Sequence, residues 1–166
     1  MFDKILIANR GEIAVRIARS ARCMGMETVA ISSSIEEGAL HTQLCDFAVT
    51  LDREDPRDAY MDIEGIVNTA IQRKCTAIHP GYGFLAENAE FARRTEEAGL
   101  IFVGPTAETI HLMGGKVEAR KFMEDAGVPV IPGRHDCLGA KALKKAASQV
   151  GFPLLIKASA GGGGKG

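Results

Sequence analysis

The sequence predicts an α/β fold in which helices cover both faces of a doubly wound parallel β-sheet. Three observations lead to this prediction. Short, continuously apolar segments recur along the chain. Between them lie segments with apolar residues at every third or fourth position. Glycine or proline ends most segments of either kind. Strands that alternate with helices favour a parallel sheet, because each parallel connection needs a crossover.

The start of the chain is typical of a β-α-β unit. Residues 4–8 are apolar after Lys4, which indicates a strand buried on both faces. Apolar residues at helical spacing follow over residues 12–24, and Gly25 ends them. Residues 27–32 predict the second strand.

The middle of the chain repeats this alternation, and Thr106 is a suitable N-cap for the last helix. The pattern predicts strands over residues 47–51, 76–79 and 100–103. It predicts helices over residues 40–44, 63–71, 87–98 and 107–113. In the helix over residues 63–71, the apolar stripe that should face the sheet runs from Ile63 through Ile66 to Ile71.

Gly114 and Gly115 mark a predicted boundary between a domain of residues 1–114 and a domain of residues 115–166. The second part predicts helices over residues 116–126 and 143–150, and then a strand over residues 152–157. A unit of roughly fifty residues buries little core. We therefore expect the chain to be a fragment that stops inside its second domain.

Composition excludes several classes of protein. The hydrophobic content of 46% and charged content of 25% are those of a globular domain, and a net charge of −1 gives no basic surface for nucleic acid or anionic membranes. The four cysteines form no Cys-x-x-Cys pair, which argues against a zinc site. No apolar segment reaches the ~20 residues of a membrane span, and none resembles a signal peptide. We expect a cytoplasmic protein, or one of the mitochondrial matrix in a eukaryote.

The glycine-rich segment at residues 161–166 follows a short apolar stretch that ends at Lys157. Glycine lets backbone N–H groups turn toward an anion, so the segment predicts a phosphate-binding loop, with a flexible linker as the alternative. It is not a Walker loop, because Ser159 stands at the position of the first glycine and Gly166 at that of Ser or Thr. The crossover at residues 9–12 also lacks the G-x-G-x-x-G pattern, which disfavours a dinucleotide site.

Four other side chains are candidates, each with a structural alternative. His79 follows a predicted strand, where α/β sites collect, or it is a loop histidine bonded to backbone. Tyr82, between two glycines, covers a ligand or packs on the sheet. Glu87 is a site carboxylate, or it interacts with a helix dipole. Lys116 begins a helix, which suits a lysine that contacts phosphate, or it is an ordinary surface lysine.

Five segments distributed over the whole chain read, in order, KILIANRGEIA, AIHPGYGFLAEN, IFVGP, MGGK and IKASAGGGGKG. In this order and spacing they closely resemble biotin carboxylase. The resemblance implies a Rossmann-like domain that precedes an ATP-grasp domain. It also implies the use of ATP, Mg²⁺ or Mn²⁺, bicarbonate and carrier-bound biotin. The implied partners are a biotin carboxyl carrier protein or domain and a carboxyltransferase subunit, with a homo-oligomeric parent protein.

The resemblance also implies roles for individual residues. Lys116 and Lys157 would contact nucleotide phosphates, Tyr82 would lie near biotin, and His79 and Glu87 would belong to the turn that shapes that side. The loop that closes over ATP would consist of Gly161, Gly162, Gly163, Gly164, Lys165 and Gly166. Catalytic residues and metal ligands would lie beyond residue 166, so we expect the fragment alone to be inactive.

Three positions depart from the family pattern. Gly115 replaces a usual acidic residue, Ala160 replaces a frequent glycine, and Lys165 replaces the more frequent arginine, which favours an acyl-CoA carboxylase subunit. The alternative functions are a non-catalytic nucleotide- or partner-binding α/β module, and another ATP-grasp ligase such as a carbamoyl phosphate or purine-pathway enzyme.

Overall fold

The structure, a computed structural model, describes residues 3–135 and 137–156. The chain forms two compact units, residues 1–110 and residues 111–166, named here the sheet unit and the helical unit. No helix in the described part is both long and apolar enough to cross a membrane.

Within the described residues, five strands form one sheet in the sheet unit. They are β1 (Lys4–Ile7), β2 (Glu27–Ser32), β3 (Phe47–Thr50), β4 (Ala77–His79) and β5 (Ile101–Phe102). Every neighbouring pair is parallel, and the order across the sheet is β3-β2-β1-β4-β5. The predicted parallel sheet is confirmed, and each strand lies within one residue of its predicted ends.

Four helices lie between these strands, and a fifth follows β5. They are α1 (Gly11–Cys23), α2 (Leu40–Leu44), α3 (Ile63–Gln72), α4 (Ala89–Glu97) and, after β5, α5 (Ala107–Gly114). Two short 3-10 helices, Ser34–Glu36 and Asp58–Tyr60, lie in the longer connections. The alternation of strands and helices is the one that the sequence predicts.

Alternate side chains of β1 point to opposite faces of the sheet. On one face the fully buried Leu6 belongs to a core cluster with Ile66 of α3 and Phe91 of α4. On the other face Ile7 packs with Ala14 of α1. Each large apolar side chain that is buried in this way stabilises the fold by about 1.5–3 kcal/mol, which explains why β1 is apolar from Ile5 to Ile7.

Side-chain caps decide where two of the helices begin. Asp62 accepts a hydrogen bond from Gly65 N–H at the start of α3, and Asn88 accepts one from Phe91 N–H at the start of α4, both at 2.9 Å. The helix that was predicted to begin at Glu87 therefore begins at Ala89. An asparagine side chain satisfies an N–H group that has no partner within the helix, so the helix starts after it.

The helical unit contains α6 (Lys116–Asp125) and α7 (Ala140–Val150), as predicted, and neither helix contains a buried residue. The strand predicted over residues 152–157 is wrong where it is described, because residues 152–156 form no strand. A strand needs a neighbour for its backbone groups, and the described residues of this unit include no other strand. Leu155 and Ile156 are instead 77% and 66% exposed.

The difference in burial predicts a difference in local stability. Amides of α6 and α7 should exchange with deuterium about 100-fold faster than those of β1, because few buried contacts oppose local opening of these helices. Hydrogen exchange followed by mass spectrometry measures both rates in one sample, with α4 as a control helix that has a buried face. Equal protection of α4 and α7 would contradict the prediction.

Candidate functional site

The carboxyl ends of β1 and β4 lie side by side at the point where the strand order reverses. The N–H group of Ala8 donates to the carbonyl oxygen of His79 at 2.9 Å and extends the pairing of the two strands. In open parallel sheets, the crevice at this point is the usual place for a ligand. The sheet thus places His79 and the turn after it, residues 80–84, where the sequence predicted a site.

The side chain of Asn9 fills this crevice. It is only 2% exposed, and its Nδ2 donates to the carbonyl oxygens of Pro80 at 2.8 Å and Tyr82 at 2.9 Å. Its Oδ1 accepts from the N–H group of Arg10 at 2.9 Å. Two carbonyl partners identify the amide nitrogen, since only the NH₂ group can donate to both. With Glu12 in the first turn of α1 as well, this geometry argues against a dinucleotide site.

Gly81 allows the close contact between Asn9 and the turn. Its φ is +70°, a conformation that favours glycine, and a Cβ at this position would lie 2.5 Å from Nδ2 of Asn9. The N–H group of Gly81 donates to Nδ1 of His79 at 3.0 Å. Both the conformation and the space therefore require glycine here.

His79 has the backbone-bonded arrangement that the sequence left open. Because Nδ1 accepts the bond from Gly81, the proton of the neutral ring is on Nε2. Burial lowers the pKa of His79, so the ring is held neutral to lower pH than a free histidine. That His79 helps to shape the biotin side of the site stays a prediction.

Tyr82 and Glu87 are both exposed. The side chain of Tyr82 is 78% exposed, so the alternative in which its ring packs on the sheet is wrong. Glu87 precedes Asn88, the N-cap of α4, and lies outside the helix. A ligand can reach both side chains, and their roles toward biotin stay predictions.

Sequence reasoning missed a polar cluster around Glu36, which is 8% exposed. Its Oε2 accepts from the hydroxyls of Tyr60 at 2.5 Å and Ser33 at 2.7 Å, and its Oε1 pairs with Arg10 at 2.7 Å. A local signal exists, because serine three residues before glutamate is the pattern of a capping box, which the structure contains. No local sequence pattern indicates the bonds of Glu36 with Tyr60 and Arg10.

The cluster keeps Glu36 charged and Tyr60 neutral. Burial by itself raises the pKa of Glu36, but hydrogen bonds from Tyr60 and Ser33 and the charge of Arg10 outweigh it, so the pKa is lowered. Burial and the bond to Glu36 raise the pKa of Tyr60. The ring of Phe84, at the end of the turn, stacks on Tyr60 with a centroid distance of 5.0 Å. The cluster is thus in contact with the turn that carries Tyr82.

A groove of about 830 Å³ lies between the start of α1 and residues 35–41. Arg10 and Glu36 contribute to its wall, but His79, Tyr82 and Glu87 do not. Its lining mixes cationic side chains, such as Arg16, with anionic ones. We therefore assign it no ligand and place the candidate site at the turn after β4.

In the helical unit, Lys116 is the first residue of α6 and Gly115 is its N-cap. The carboxylate of Glu118 folds back over Gly115, where a Cβ would collide with it. Backbone N–H groups at a helix start, together with a lysine, suit an anion such as phosphate, but Glu118 in the first turn competes for this position as Glu12 does in α1. The role of Lys116 stays a prediction. The other predicted ATP-binding residues, Lys157 and residues 161–166, lie outside the described residues.

Comparison with known proteins identifies the sheet unit. A family model described as "Biotin carboxylase, N-terminal domain" matches residues 1–110. The chain belongs to the biotin carboxylase family. The predicted resemblance is confirmed. A second model, described as "Carbamoyl-phosphate synthase L chain, ATP binding domain", matches residues 115–166 and supports the predicted start of an ATP-grasp domain.

Curated relatives match the whole chain. Biotin carboxylase 2 of Bacillus subtilis (strain 168) is 48% identical over 167 residues, which cover 100% of this chain and 38% of that protein. The chloroplastic biotin carboxylase of Arabidopsis thaliana is 47% identical over 99% of this chain and 31% of its own length. The chain thus spans a little over a third of the bacterial enzyme. Because the similarity includes residues 115–166, it favours a biotin carboxylase over another ATP-grasp ligase.

Solved structures confirm the predicted fold class. The biotin carboxylase domain of the 2-oxoglutarate carboxylase of Hydrogenobacter thermophilus, a dimer with MgADP, ADP and bicarbonate, superposes with a TM-score of 0.92. It is 46% identical over 99% of this chain and 36% of that one. Biotin carboxylase from Campylobacter jejuni, in a β-γ-ATP complex, gives a TM-score of 0.93 and 39% identity over 99% of this chain and 37% of that one.

Proposed function

We propose that this chain is the amino-terminal part of a biotin carboxylase, which uses ATP and bicarbonate to carboxylate biotin on a carrier protein or domain. The match of residues 1–110 to the amino-terminal domain of that family carries the proposal. Residues 1–114 would form this domain, and residues 115–166 would begin the ATP-grasp domain. The bound ligands of the Hydrogenobacter thermophilus domain, MgADP and bicarbonate, are those that the reaction requires.

In the proposed reaction, an oxygen of bicarbonate attacks the γ-phosphorus of ATP and ADP leaves, which gives carboxyphosphate. Carboxyphosphate then releases carbon dioxide and phosphate. A ureido nitrogen of biotin gives up its proton to a base, which we expect beyond residue 166, and bonds to the carbon dioxide. Neutralisation of phosphate charge by cations is the main physical requirement of the first step.

The proposal assigns binding roles to this chain. Lys116, at the start of α6, would contact the nucleotide phosphates together with Lys157 and the loop of residues 161–166. Tyr82 would lie near biotin, on a turn that also includes His79. The described residues contain no group of three or more side chains that could hold a metal ion, so we assign none of them to the Mg²⁺ or Mn²⁺ of the reaction.

The proposed partners are a biotin carboxyl carrier, a carboxyltransferase subunit and further copies of the parent chain. Two relatives support this: one is named as the small subunit of a 2-oxoglutarate carboxylase, and a structural neighbour is a complete multifunctional pyruvate carboxylase. The proposed location is the cytoplasm, and the four cysteines, all free thiols, suit a reducing compartment.

The activity is tested by ATP cleavage in the complete protein that carries this sequence. We expect cleavage that depends on both bicarbonate and biotin, and no turnover from the 166-residue chain alone, which spans only part of its relatives. Cleavage that is indifferent to biotin would contradict the proposed function. Turnover by the isolated chain would contradict its assignment as a part of the enzyme.

Lys116→Ala in the complete protein should raise the KM for ATP about tenfold to a hundredfold, because a hydrogen bond to a charged group contributes about 1.5–3 kcal/mol. The KM for biotin should not change. Lys121→Ala removes the same charge from an exposed position of the same helix and is the matched control. Equal effects of the two substitutions on the KM for ATP would exclude a phosphate contact by Lys116.

A further inference from the structure

The turn after β4 is fixed by contacts with the buried side chains of Asn9 and Tyr60, on both sides of an exposed tyrosine. Asn9 holds the carbonyl oxygens of Pro80 and Tyr82. Beyond them, Phe84 stacks on the fully buried Tyr60. The ring of Tyr82 itself is 78% exposed. The backbone of the turn is therefore held while its aromatic side chain is presented to solvent.

We propose that Asn9 is a positioning residue that sets the place of the Tyr82 ring for the substrate, by holding the carbonyl groups of Pro80 and Tyr82. This inference rests on the proposed function, since it requires that biotin is the molecule that contacts Tyr82. Asn9 is buried under the turn and acts through the backbone, so it need not touch biotin.

The contacts of Asn9 explain why this side chain holds the turn. Its NH₂ group has two protons, and both are used on carbonyl oxygens that lie two residues apart in the turn. Its carbonyl oxygen is held by Arg10 N–H, so the amide cannot rotate without loss of all three bonds. A turn whose backbone is already fixed loses little freedom when a ligand binds beside it, which favours affinity for a substrate that contacts Tyr82.

The contact between Asn9 and the turn can be disrupted by a substitution in either partner. Asn9→Ala removes both donors. Gly81→Ala leaves Asn9 unchanged but places a Cβ 2.5 Å from its Nδ2, at a φ of +70°. Gly99→Ala is the matched control, because Gly99 has a φ of +75° but no atom lies within 4 Å of its Cβ position. Gly81→Ala and Gly99→Ala thus share the backbone strain and differ in the contact with Asn9.

In the complete protein, Asn9→Ala and Gly81→Ala should each raise the KM for biotin about tenfold, because a turn that is no longer held must be ordered when the substrate binds. The KM for ATP should stay within twofold, and Gly99→Ala should change neither constant. Combined with Tyr82→Ala, the effect of Asn9→Ala on the KM for biotin should be smaller than in the unsubstituted protein, because both act on one contact. If Asn9→Ala does not yield folded protein, Asn9→Ser, which keeps one donor, replaces it with a smaller expected effect.

A second measurement needs no activity. The chain contains two tyrosines, so ¹³C-labelled tyrosine gives ring signals for Tyr60 and Tyr82 that a Tyr82→Phe variant assigns. In the 166-residue chain, Asn9→Ala should shift or broaden the signals of Tyr82, and Gly99→Ala should not.

The outcomes separate the two proposals. Unchanged Tyr82 signals in Asn9→Ala, or equal effects of Gly81→Ala and Gly99→Ala on the KM for biotin, would overturn the positioning role. If the unsubstituted complete protein shows no biotin-dependent ATP cleavage, the proposed function is wrong, and so is the assignment of biotin as the ligand of Tyr82. The ring signals still decide whether Asn9 places Tyr82.

Discussion

Ile66→Ala should lower the free energy of unfolding of the sheet unit by about 2–5 kcal/mol, because the truncation leaves a cavity in a closely packed core. Ile66 lies on α3, is fully buried and belongs to the same core cluster as Leu6 of β1 and Phe91 of α4. The lost side chain therefore removes contacts between a helix and the centre of the sheet. Urea denaturation followed by circular dichroism measures the change.

Ile71→Ala is the matched control for this prediction. It removes the same atoms from the same helix, but Ile71 is 50% exposed, so the loss should be about 1 kcal/mol or less. A loss for Ile66→Ala no greater than that for Ile71→Ala would show that this face of α3 does not pack as the structure has it.

Glu36→Ala is the second substitution with a large expected effect, a loss of about 2–4 kcal/mol in the free energy of unfolding. It leaves the hydroxyls of Tyr60 and Ser33 buried without their acceptor, and each such group costs about 1–3 kcal/mol. The pair with Arg10 adds less, because the Arg10 side chain is 46% exposed and solvent screens the interaction. Thermal and urea unfolding measure the loss, and Glu37→Ala, which removes an exposed neighbouring carboxylate, should stay within about 0.5 kcal/mol.

The pH dependence of stability identifies the charged carboxylate as the cause. The pKa of Glu36 is lowered in the folded protein from an ordinary value of 4.5. Its contribution is therefore complete above pH 4.5, and it is lost as the pH falls through the lower pKa of the folded state. Glu36→Gln should remove this part of the acid sensitivity. An unchanged acid profile in Glu36→Gln would show that Glu36 does not titrate in this way.

The sequence predicted the sheet well because its strands carry a local signal. β1 is buried on both faces, so its apolar run could be recognised without knowledge of its neighbours. Ile66 and Ile71 were both expected to face the sheet, but they are five positions apart, which places them well apart around a helix. Only Ile66 is buried. The strand predicted at residues 152–157 was wrong in its described part, because an apolar run becomes a strand only where a partner strand is available.

The candidate site was predictable only in part. His79 and Tyr82 follow a predicted strand, and the rule that ligands collect at the carboxyl ends of parallel strands directed attention to them. The role of Asn9 depends on bonds to residues 71 and 73 positions away, which no local pattern reveals. The roles in binding ATP and biotin came from the resemblance to a family, since no single motif in the chain specifies them.

The strand order β3-β2-β1-β4-β5 has a consequence for synthesis on the ribosome. β1 pairs with β2 on one side and with β4 on the other. The first pairing becomes possible once Ser32 has emerged, but the second must wait for Ala77, which at about 5–20 residues per second takes roughly 2–9 seconds more. During that interval the central strand of the nascent chain has an unpaired apolar edge, the kind of surface that chaperones cover and that associates with other chains.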